Sequence, residues 1–335
     1  MNILFRVDGS VTIGMGHIVR CMALAQHLKH NYNCNLYFAL RFSDLGKIEV
    51  GRLYEVISSN EIFLDYGQWL IECIHKVHAD VLILDARDGL SLSILEKVKL
   101  KTGVKIGTID DPEEKRLAAD WAFYPPVSGV NNLNWEGYGG SLYVGWEYVI
   151  LRKEFLLSTP KRPEKSIPVL LVAMGGADEG NLTASVTDLL KESRAKFSVI
   201  VMVGSGYPHL EDLRSSLRSA NYSYELYQNP DNVASVMSQA DFGVITFGQT
   251  AYEFAALKIP AIYLCISEDH FESSKLFVEN GLGVSMGTLV NMSDNDLSNC
   301  ISRFVTQKMM REKMSAKAEK LSISKLDYIS QVILS

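Results

Sequence analysis

The chain has 335 residues, of which 47% are hydrophobic and 21% are charged, and its formal net charge is −6. This composition is typical of a soluble globular protein with a full core, and the length predicts about two domains. The acidic balance argues against a nucleic-acid-binding protein. No apolar run approaches the roughly 20 residues that span a bilayer, so we expect no membrane insertion.

The first residues, Met1 to Asp8, lack the charged start and the cleavage site of a signal peptide. We therefore expect a cytoplasmic protein. The five cysteines are scattered and form no Cys-x-x-Cys pair. They are predicted to be buried free thiols, and neither a metal site nor a cofactor is expected.

Short apolar stretches alternate with longer amphipathic ones through the first half of the chain. They predict strands at 3–7, 35–39, 81–84 and 104–109, and helices at 17–30, 66–77 and 90–100. Such alternation is typical of a parallel, doubly wound sheet. The pattern becomes irregular after Pro126, and two prolines with a charge cluster at 160–165 indicate a linker.

The second half repeats the same alternation. It predicts strands at 169–174, 197–203, 224–227, 242–246 and 261–264, with helices from about 181 and at 209–220, 232–239, 250–256 and 271–280, before a mostly helical tail. The fold class is therefore α/β, with a first Rossmann-like domain at 1–155 and a second at 166–335. We expect the two domains to face a ligand cleft.

A glycine-rich turn connects the first strand to the first helix. Gly14 and Gly16 surround Met15, and His17 and Arg20 follow where the helix begins. Glycine backbone amides at a helix N-terminus can bind an anion, and a neighbouring histidine can transfer a proton near neutral pH. The alternative is that His17 only caps the helix.

Acidic residues follow two of the predicted strands. Carboxyl ends of parallel strands form the ligand edge of a sheet, so Asp85 and Asp110 are interpreted as site residues, with Asp85 a predicted catalytic residue. Capping of the next helix is the alternative. For Asp88 and Asp111 a cap or turn is the favoured interpretation.

The second half contains a corresponding turn, in which Gly175 and Gly176 lie between a strand and a helix. Their backbone amides could contact a diphosphate, although a plain tight turn is an alternative. Asn232 and Val233, before a later helix, could contact a base through backbone groups.

The third predicted turn of this kind leads into the helix at 250–256. Gln249 and Thr250 lie where that helix begins and could contact phosphate, and Glu253 lies one turn further on. Glu253 could accept hydrogen bonds from two ribose hydroxyls. Alternatively, Glu253 pairs with Thr250 in a capping box.

Taken together, the motifs resemble those of a known family. They are Gly16-His17-x-x-Arg20, the strand-end Asp85, Leu151-Arg152-x-Glu154-Phe155 and Met174-Gly175-Gly176-x-Asp178. The chain resembles the UDP-2,4-diacetamido-2,4,6-trideoxy-β-L-altropyranose hydrolases of the pseudaminic acid pathway, which are grouped with spore-coat polysaccharide biosynthesis proteins. That family is similar to the peptidoglycan N-acetylglucosaminyltransferase, which implies the GT-B fold.

The resemblance implies hydrolysis at the anomeric carbon of a UDP-linked diacetamido sugar, releasing UDP and a free precursor of nonulosonic acids. It implies that His17 activates the water, that Gly175, Gly176, Gln249 and Thr250 contact the diphosphate, and that Glu253 binds the ribose. No metal is implied, and the partner is the UDP-sugar substrate alone.

The sequence departs from the family after the strand-end acid. The family has a tyrosine two residues after this Asp, where this chain has Arg87, which could indicate a different, anionic sugar. The alternatives are a GT-B glycosyltransferase, whose acceptor could use an exposed apolar surface within 40–60, and a non-catalytic sugar-nucleotide-binding protein. We expect a monomer.

Overall fold

The computed structural model describes residues 1–9, 14–62, 65–157, 167–178 and 180–335. The chain forms two compact units, one of Met1–Arg152 with Ser322–Ser335 and the other of Lys153–Leu321. The predicted linker at 160–165 lies outside the described residues.

Strands and helices alternate through most of the chain. The strands are β1 (Asn2–Val7), β2 (Asn35–Arg41), β3 (Glu55–Ser59), β4 (Val81–Asp85), β5 (Lys105–Ile109), β6 (Trp121–Tyr124), β7 (Ser141–Val144), β8 (Val169–Ala173), β9 (Ser198–Val203), β10 (Ser223–Gln228), β11 (Phe242–Thr246), β12 (Ala261–Cys265) and β13 (Gly283–Thr288). The α-helices are α1 (Gly16–Tyr32), α2 (Asp44–Gly51), α3 (Tyr66–Val77), α4 (Leu92–Thr102), α5 (Leu182–Leu190), α6 (Leu210–Leu217), α7 (Val233–Met237), α8 (Gln249–Ala256), α9 (Glu268–Glu279), α10 (Asp294–Thr306), α11 (Lys308–Ala318) and α12 (Leu326–Leu334). Short 3₁₀ helices lie at Glu114–Ala118, Ser128–Asn132, Trp146–Tyr148, Lys153–Phe155 and Leu289–Asn291.

The first unit contains a parallel sheet with strand order β3-β2-β1-β4-β5-β6-β7. Side chains alternate between its faces. Phe5 and Val7 of β1 pack in the core formed with α1, whereas Leu4 of the same strand packs in the core formed with α3 and α4. The carboxyl ends of β1, β2 and β4 therefore lie side by side at one edge of the sheet.

The last helix, α12, belongs to the first unit. The sequence placed the whole tail in the second domain, and the structure differs because three apolar side chains of this helix enter the other core. Leu326, Ile329 and Ile333 are buried in the cluster that contains β1 and α1.

The second unit contains a parallel sheet with strand order β10-β9-β8-β11-β12-β13. Its order repeats that of the first six strands of the other unit, which is the doubly wound order of Rossmann-like domains. The predicted α/β class with two such domains is therefore confirmed. Strands β3, β6, β7 and β13 were missed because they lie in short or polar stretches without a clear alternation of apolar residues.

Candidate functional sites in the two units

The β1–α1 turn brings His17 to the carboxyl edge of the first sheet. Gly14 has a φ of +78°, a left-handed conformation that glycine adopts without strain. Helix α1 begins at Gly16, and Met15 before it provides no capping side chain. His17 therefore projects from the first turn of α1, beside the end of β4.

The imidazole of His17 is hydrogen-bonded to the carboxylate of Asp85. His17 Nδ1 lies 2.6 Å from Asp85 Oδ1, and the His17 side chain keeps 23% of its surface exposed while Asp85 keeps 1%. An ionised carboxylate only accepts hydrogen bonds, so the shorter contact assigns the proton to Nδ1. Arg20 Nη2 also lies 3.1 Å from Nδ1, but it donates to Asp85 Oδ1 at 2.6 Å. Nε2 is then the nitrogen that can accept a proton. His17 is thus paired with a carboxylate rather than serving as a helix cap.

Arg20 donates hydrogen bonds to both oxygens of the same carboxylate. Its Nε donates to Asp85 Oδ2 and its Nη2 to Asp85 Oδ1, each at 2.6 Å. Burial alone would raise the pKa of Asp85, but the positive charge of Arg20 and the contact with His17 hold that pKa well below its usual range. Asp85 is therefore ionised, buried and aimed at His17, so it positions the imidazole rather than meeting a ligand itself.

Asp110 extends this network to Arg87. Arg20 Nη1 donates to Asp110 Oδ2 at 3.2 Å, and Arg87 Nη2 lies 3.7 Å from the same oxygen. Asp110 has a φ of +51°, a strained value for a non-glycine residue that often marks a functional site. The Arg87 side chain is 47% exposed. The structure thus brings together His17, Asp85 and Arg20 with Asp110 and Arg87.

A second charged network occupies the opposite face of the first sheet. We call it the Arg6 cluster, and it consists of Arg6, Lys115, Asp8, Asp88, Asp111 and Glu113. The Arg6 side chain is fully buried and its Nη2 lies 2.5 Å from Asp8 Oδ2 and 2.8 Å from Asp88 Oδ2. Sequence reasoning missed this cluster. The signal was an arginine inside the apolar stretch 3–7, because a buried arginine needs partners.

Asp88 and Asp111, the two acids interpreted as cap or turn residues, each accept a hydrogen bond within a turn and also pair with a buried cation. Asp88 Oδ1 accepts from Leu90 N at 3.3 Å, and Asp111 Oδ1 accepts from Glu113 N at 2.9 Å. Each carboxylate also lies beside the buried ammonium of Lys115. The turn interpretation is therefore confirmed but incomplete.

The predicted diphosphate turn of the second unit is open to solvent at both glycines. Gly175 has a φ of +85°, and both Gly175 and Gly176 are exposed. A Cβ at Gly204 would lie 2.2 Å from Gly176 O, so the β9–α6 turn packs directly on this peptide. This packing restricts the movement of a turn whose two glycines are exposed.

The N-terminus of α5 is already occupied by a carboxylate. Asp178 accepts from Leu182 N and Thr183 N, each at 2.8 Å. A second anion at these amides would meet the charge of Asp178. Only the amides before Asp178 therefore remain for a phosphate group.

The β11–α8 turn places three predicted residues on one helix. Gln249 begins α8 directly after Gly248, Thr250 is half-buried in its first turn, and Glu253 is 5% exposed. Because Gly248 occupies the N-cap position, Thr250 lies inside the helix. The capping-box alternative, which needs Thr250 at the N-cap, does not describe this helix.

Asn232 has a structural role in addition to any contact with a ligand. Its side chain accepts from Ser235 N at 2.8 Å and caps α7. Val233 begins that helix and is half-buried. The predicted contact of their backbone groups with a base stays a prediction.

All five cysteines are buried and free, as predicted. In the part of the chain that the structure describes, no group of three His, Cys, Asp or Glu side chains is placed to hold a metal ion. None of the helices described there has the length and apolar character needed to cross a bilayer.

Solved structures with the same architecture include glycosyltransferases. MurG from Acinetobacter baumannii has a TM-score of 0.73 at 13% identity, covering 99% of each chain. A glycosyltransferase from Rickettsia africae has a TM-score of 0.64 at 15% identity, covering 100% of this chain and 98% of that one. TcCGT1, solved in complex with UDP, has a TM-score of 0.66 at 12% identity, covering 99% of each chain. The chain therefore has the GT-B fold.

Relatives in sequence add to this comparison of folds. The spore coat polysaccharide biosynthesis protein SpsG of Bacillus subtilis is 25% identical over 93% of this chain and 91% of its own length. The UDP-2,4-diacetamido-2,4,6-trideoxy-β-L-altropyranose hydrolase of Campylobacter jejuni is 26% identical over 85% of this chain and 98% of its own. An uncharacterized protein of Methanocaldococcus jannaschii is 28% identical over 80% of this chain. The matched region spans only 56% of the length of that relative.

No family model matches the chain. The relatives are nevertheless those of the family that the sequence motifs resemble. The resemblance is therefore confirmed as homology over most of the chain.

Proposed function

We propose that the protein is a UDP-sugar hydrolase that cleaves the anomeric C–O bond of a UDP-linked diacetamido-trideoxyhexose. The observation that carries this proposal is the 2.6 Å contact between His17 Nδ1 and Asp85 Oδ1, which leaves Nε2 as a base. The name of the Campylobacter jejuni relative supports the substrate. The proposed setting is the cytoplasm, with the protein as a monomer and the free sugar as a precursor of pseudaminic-type acids for flagellin or surface polysaccharide.

In this mechanism, water attacks the anomeric carbon while His17 Nε2 accepts one of its protons. The new bond joins the water oxygen to the anomeric carbon, and the bond from that carbon to the diphosphate oxygen breaks. UDP leaves with the bonding electron pair, and the proton passes from His17 to solvent. A positioned general base contributes about 10²–10⁴-fold to the rate. Asp85 keeps Nδ1 protonated throughout and stabilises the imidazolium that forms.

Groups of the second unit would hold the nucleotide. We propose that the amides of Gly175 and Gly176 and the side chains of Gln249 and Thr250 contact the diphosphate. Preorganised donors of this kind stabilise the charge that develops on a leaving group. Glu253, which is buried in α8, would accept hydrogen bonds from the ribose hydroxyls.

A GT-B glycosyltransferase is the second candidate function. In addition to the fold, it is favoured by exposed apolar side chains around α2, where Phe42 is 51%, Leu45 39% and Leu53 52% exposed. Leu40, which the sequence included in this surface, is instead buried. In this function His17 would activate an acceptor hydroxyl rather than water, so UDP release would require an acceptor.

The test is UDP release from UDP-2,4-diacetamido-2,4,6-trideoxy-β-L-altropyranose in buffer without acceptor. We expect turnover by the wild type and its loss in His17→Ala, with the Kd for UDP unchanged within a few-fold. His30→Ala is the matched control, because His30 is an exposed residue near the other end of the same helix. Tight UDP binding without release would favour the transferase, and normal turnover by His17→Ala would exclude His17 as the base.

A further inference from the structure

Arg41 is a charged residue at the ligand edge of the first sheet for which neither the sequence motifs nor the proposed mechanism gives a role. It ends β2, which pairs with β1, and β1 pairs in turn with β4, which ends at Asp85. Its backbone N donates to Asp8 Oδ1 at 2.6 Å. Two strand spacings, about 10 Å, separate the ends of β2 and β4 across the sheet. Arg41 lies on the face of Ala39 and Tyr66, and His17 on the opposite face, so a sugar bound over this edge of the sheet could contact both.

The guanidinium of Arg41 is oriented by stacking rather than by hydrogen bonds. Its central carbon lies 4.3 Å from the centre of the Tyr66 ring and 5.2 Å from that of Phe42. Arg41 Nε is buried, and none of the described residues accepts a hydrogen bond from it. Burying a polar group without a partner is unfavourable, whereas stacking leaves the donors at the edge of the guanidinium available. The residue is thus a preoriented donor.

Two hydrogen bonds of its hydroxyl group hold the Tyr66 ring in place. Arg6 Nε donates to the Tyr66 hydroxyl at 2.6 Å, and that hydroxyl donates to Asp88 Oδ2. The fixed ring in turn fixes the plane of the guanidinium that stacks on it. A donor with a fixed plane suits a planar acceptor such as a carbonyl group or a carboxylate.

The charge around Arg41 selects between these two acceptors. The Arg6 cluster contains four carboxylates but only two buried cations. Asp8, a member of this cluster, accepts a hydrogen bond from the backbone N of Arg41. A carboxylate on the ligand would meet this excess of negative charge, whereas an uncharged carbonyl oxygen would not. The environment therefore favours a neutral acceptor.

We propose that Arg41 is a further substrate-binding residue, which donates hydrogen bonds to the carbonyl oxygen of an acylamino group on the sugar. The exposed ring of Phe42 would pack against the acyl methyl group. This inference rests on the proposed function, because it assigns one substituent of the sugar to one side chain. It makes Arg41 a determinant of sugar specificity that does not contact the nucleotide.

The experiment measures KM for UDP-2,4-diacetamido-2,4,6-trideoxy-β-L-altropyranose and Kd for UDP in the wild type, Arg41→Ala and Arg41→Lys. For Arg41→Ala we expect KM to rise about 10–100-fold, the usual loss for a hydrogen bond from a charged donor, and Kd for UDP to change less than about twofold. Arg41→Lys should give an intermediate KM, because lysine keeps the charge without the planar pair of donors. Should Arg41→Ala fail to fold, Arg41→Lys decides the test.

Lys29→Ala is the matched control, because Lys29 also lies over an aromatic ring of the same unit, 5.5 Å from the centre of Tyr54, but near the far end of α1. It should leave KM unchanged. Normal KM in both Arg41 variants would overturn the inference and leave the hydrolase proposal intact. Selective loss of UDP-glucuronic acid binding in Arg41→Ala would also overturn it, since the residue would then bind a carboxylate. No binding or turnover by the wild type would overturn the proposed function and this inference with it.

Discussion

Two buried acids near the ends of neighbouring strands, Asp85 at the end of β4 and Asp111 two residues after β5, have pKa values shifted in opposite directions. Burial tends to raise the pKa of both carboxyls, but Arg20 and His17 reverse that effect for Asp85, whose pKa lies well below its usual range. At Asp111 burial prevails over the attraction of Lys115, and the pKa is raised to about 6. Both acids are buried, so the charged groups around each one decide the direction in which its pKa shifts.

This difference predicts a pH dependence of stability that involves Asp111. Between its ordinary pKa of about 3.9 and the folded value of about 6, the folded protein binds a proton that the unfolded chain has released. The free energy of unfolding therefore falls as the pH rises through this window. In Asp111→Asn, which cannot ionise, we expect this fall to be smaller by about 1–3 kcal/mol. Urea unfolding at pH 4 and pH 7 measures it, and an equal fall in both proteins would contradict the raised pKa.

At the scale of elements, the second unit positions its candidate nucleotide turn by close packing of two loops. The β8–α5 turn and the β9–α6 turn meet where Gly204 faces the peptide of Gly176. Backbone atoms cannot move aside as a flexible side chain can, so a side chain at Gly204 would push the two turns apart.

Gly204→Ala is therefore expected to weaken UDP binding at least about tenfold and to lower stability by about 1–3 kcal/mol, as overpacking does. The matched control is Gly206→Ala in the same loop. Its Cβ would lie 3.5 Å from Gly176 O, an ordinary van der Waals distance, so binding should be normal. Calorimetric titration with UDP separates the two, and equal affinities would show that this packing does not position the turn.

At the scale of the molecule, the chain leaves the first unit after Arg152 and returns to it at Ser322. The returning helix α12 buries Ile329 completely in the core shared with β1 and α1. The first unit is thus complete only when the last residues of the chain are in place.

We expect Ile329→Ala in the full chain to lower the free energy of unfolding of the first unit by about 2–5 kcal/mol, as for other large-to-small changes in a core. Gln331→Ala, an exposed position on the same helix, should change it by less than about 0.5 kcal/mol. Denaturant unfolding measures both. A neutral Ile329→Ala would show that α12 does not stabilise the core it enters.

The sequence by itself determined the α/β class, most strands and helices, and the turns that carry His17, Gly175 and Gln249, because these depend on local periodicity and on glycine. It also identified Asp85, since an acid after a buried strand is a local pattern. Tertiary structure alone decided that Asp85 faces His17 and Arg20, that Asp178 occupies the start of α5, and that α12 returns to the first unit. Each of these depends on which distant side chains meet. The same holds for the orientation of Arg41, whose guanidinium stacks on Tyr66 of α3.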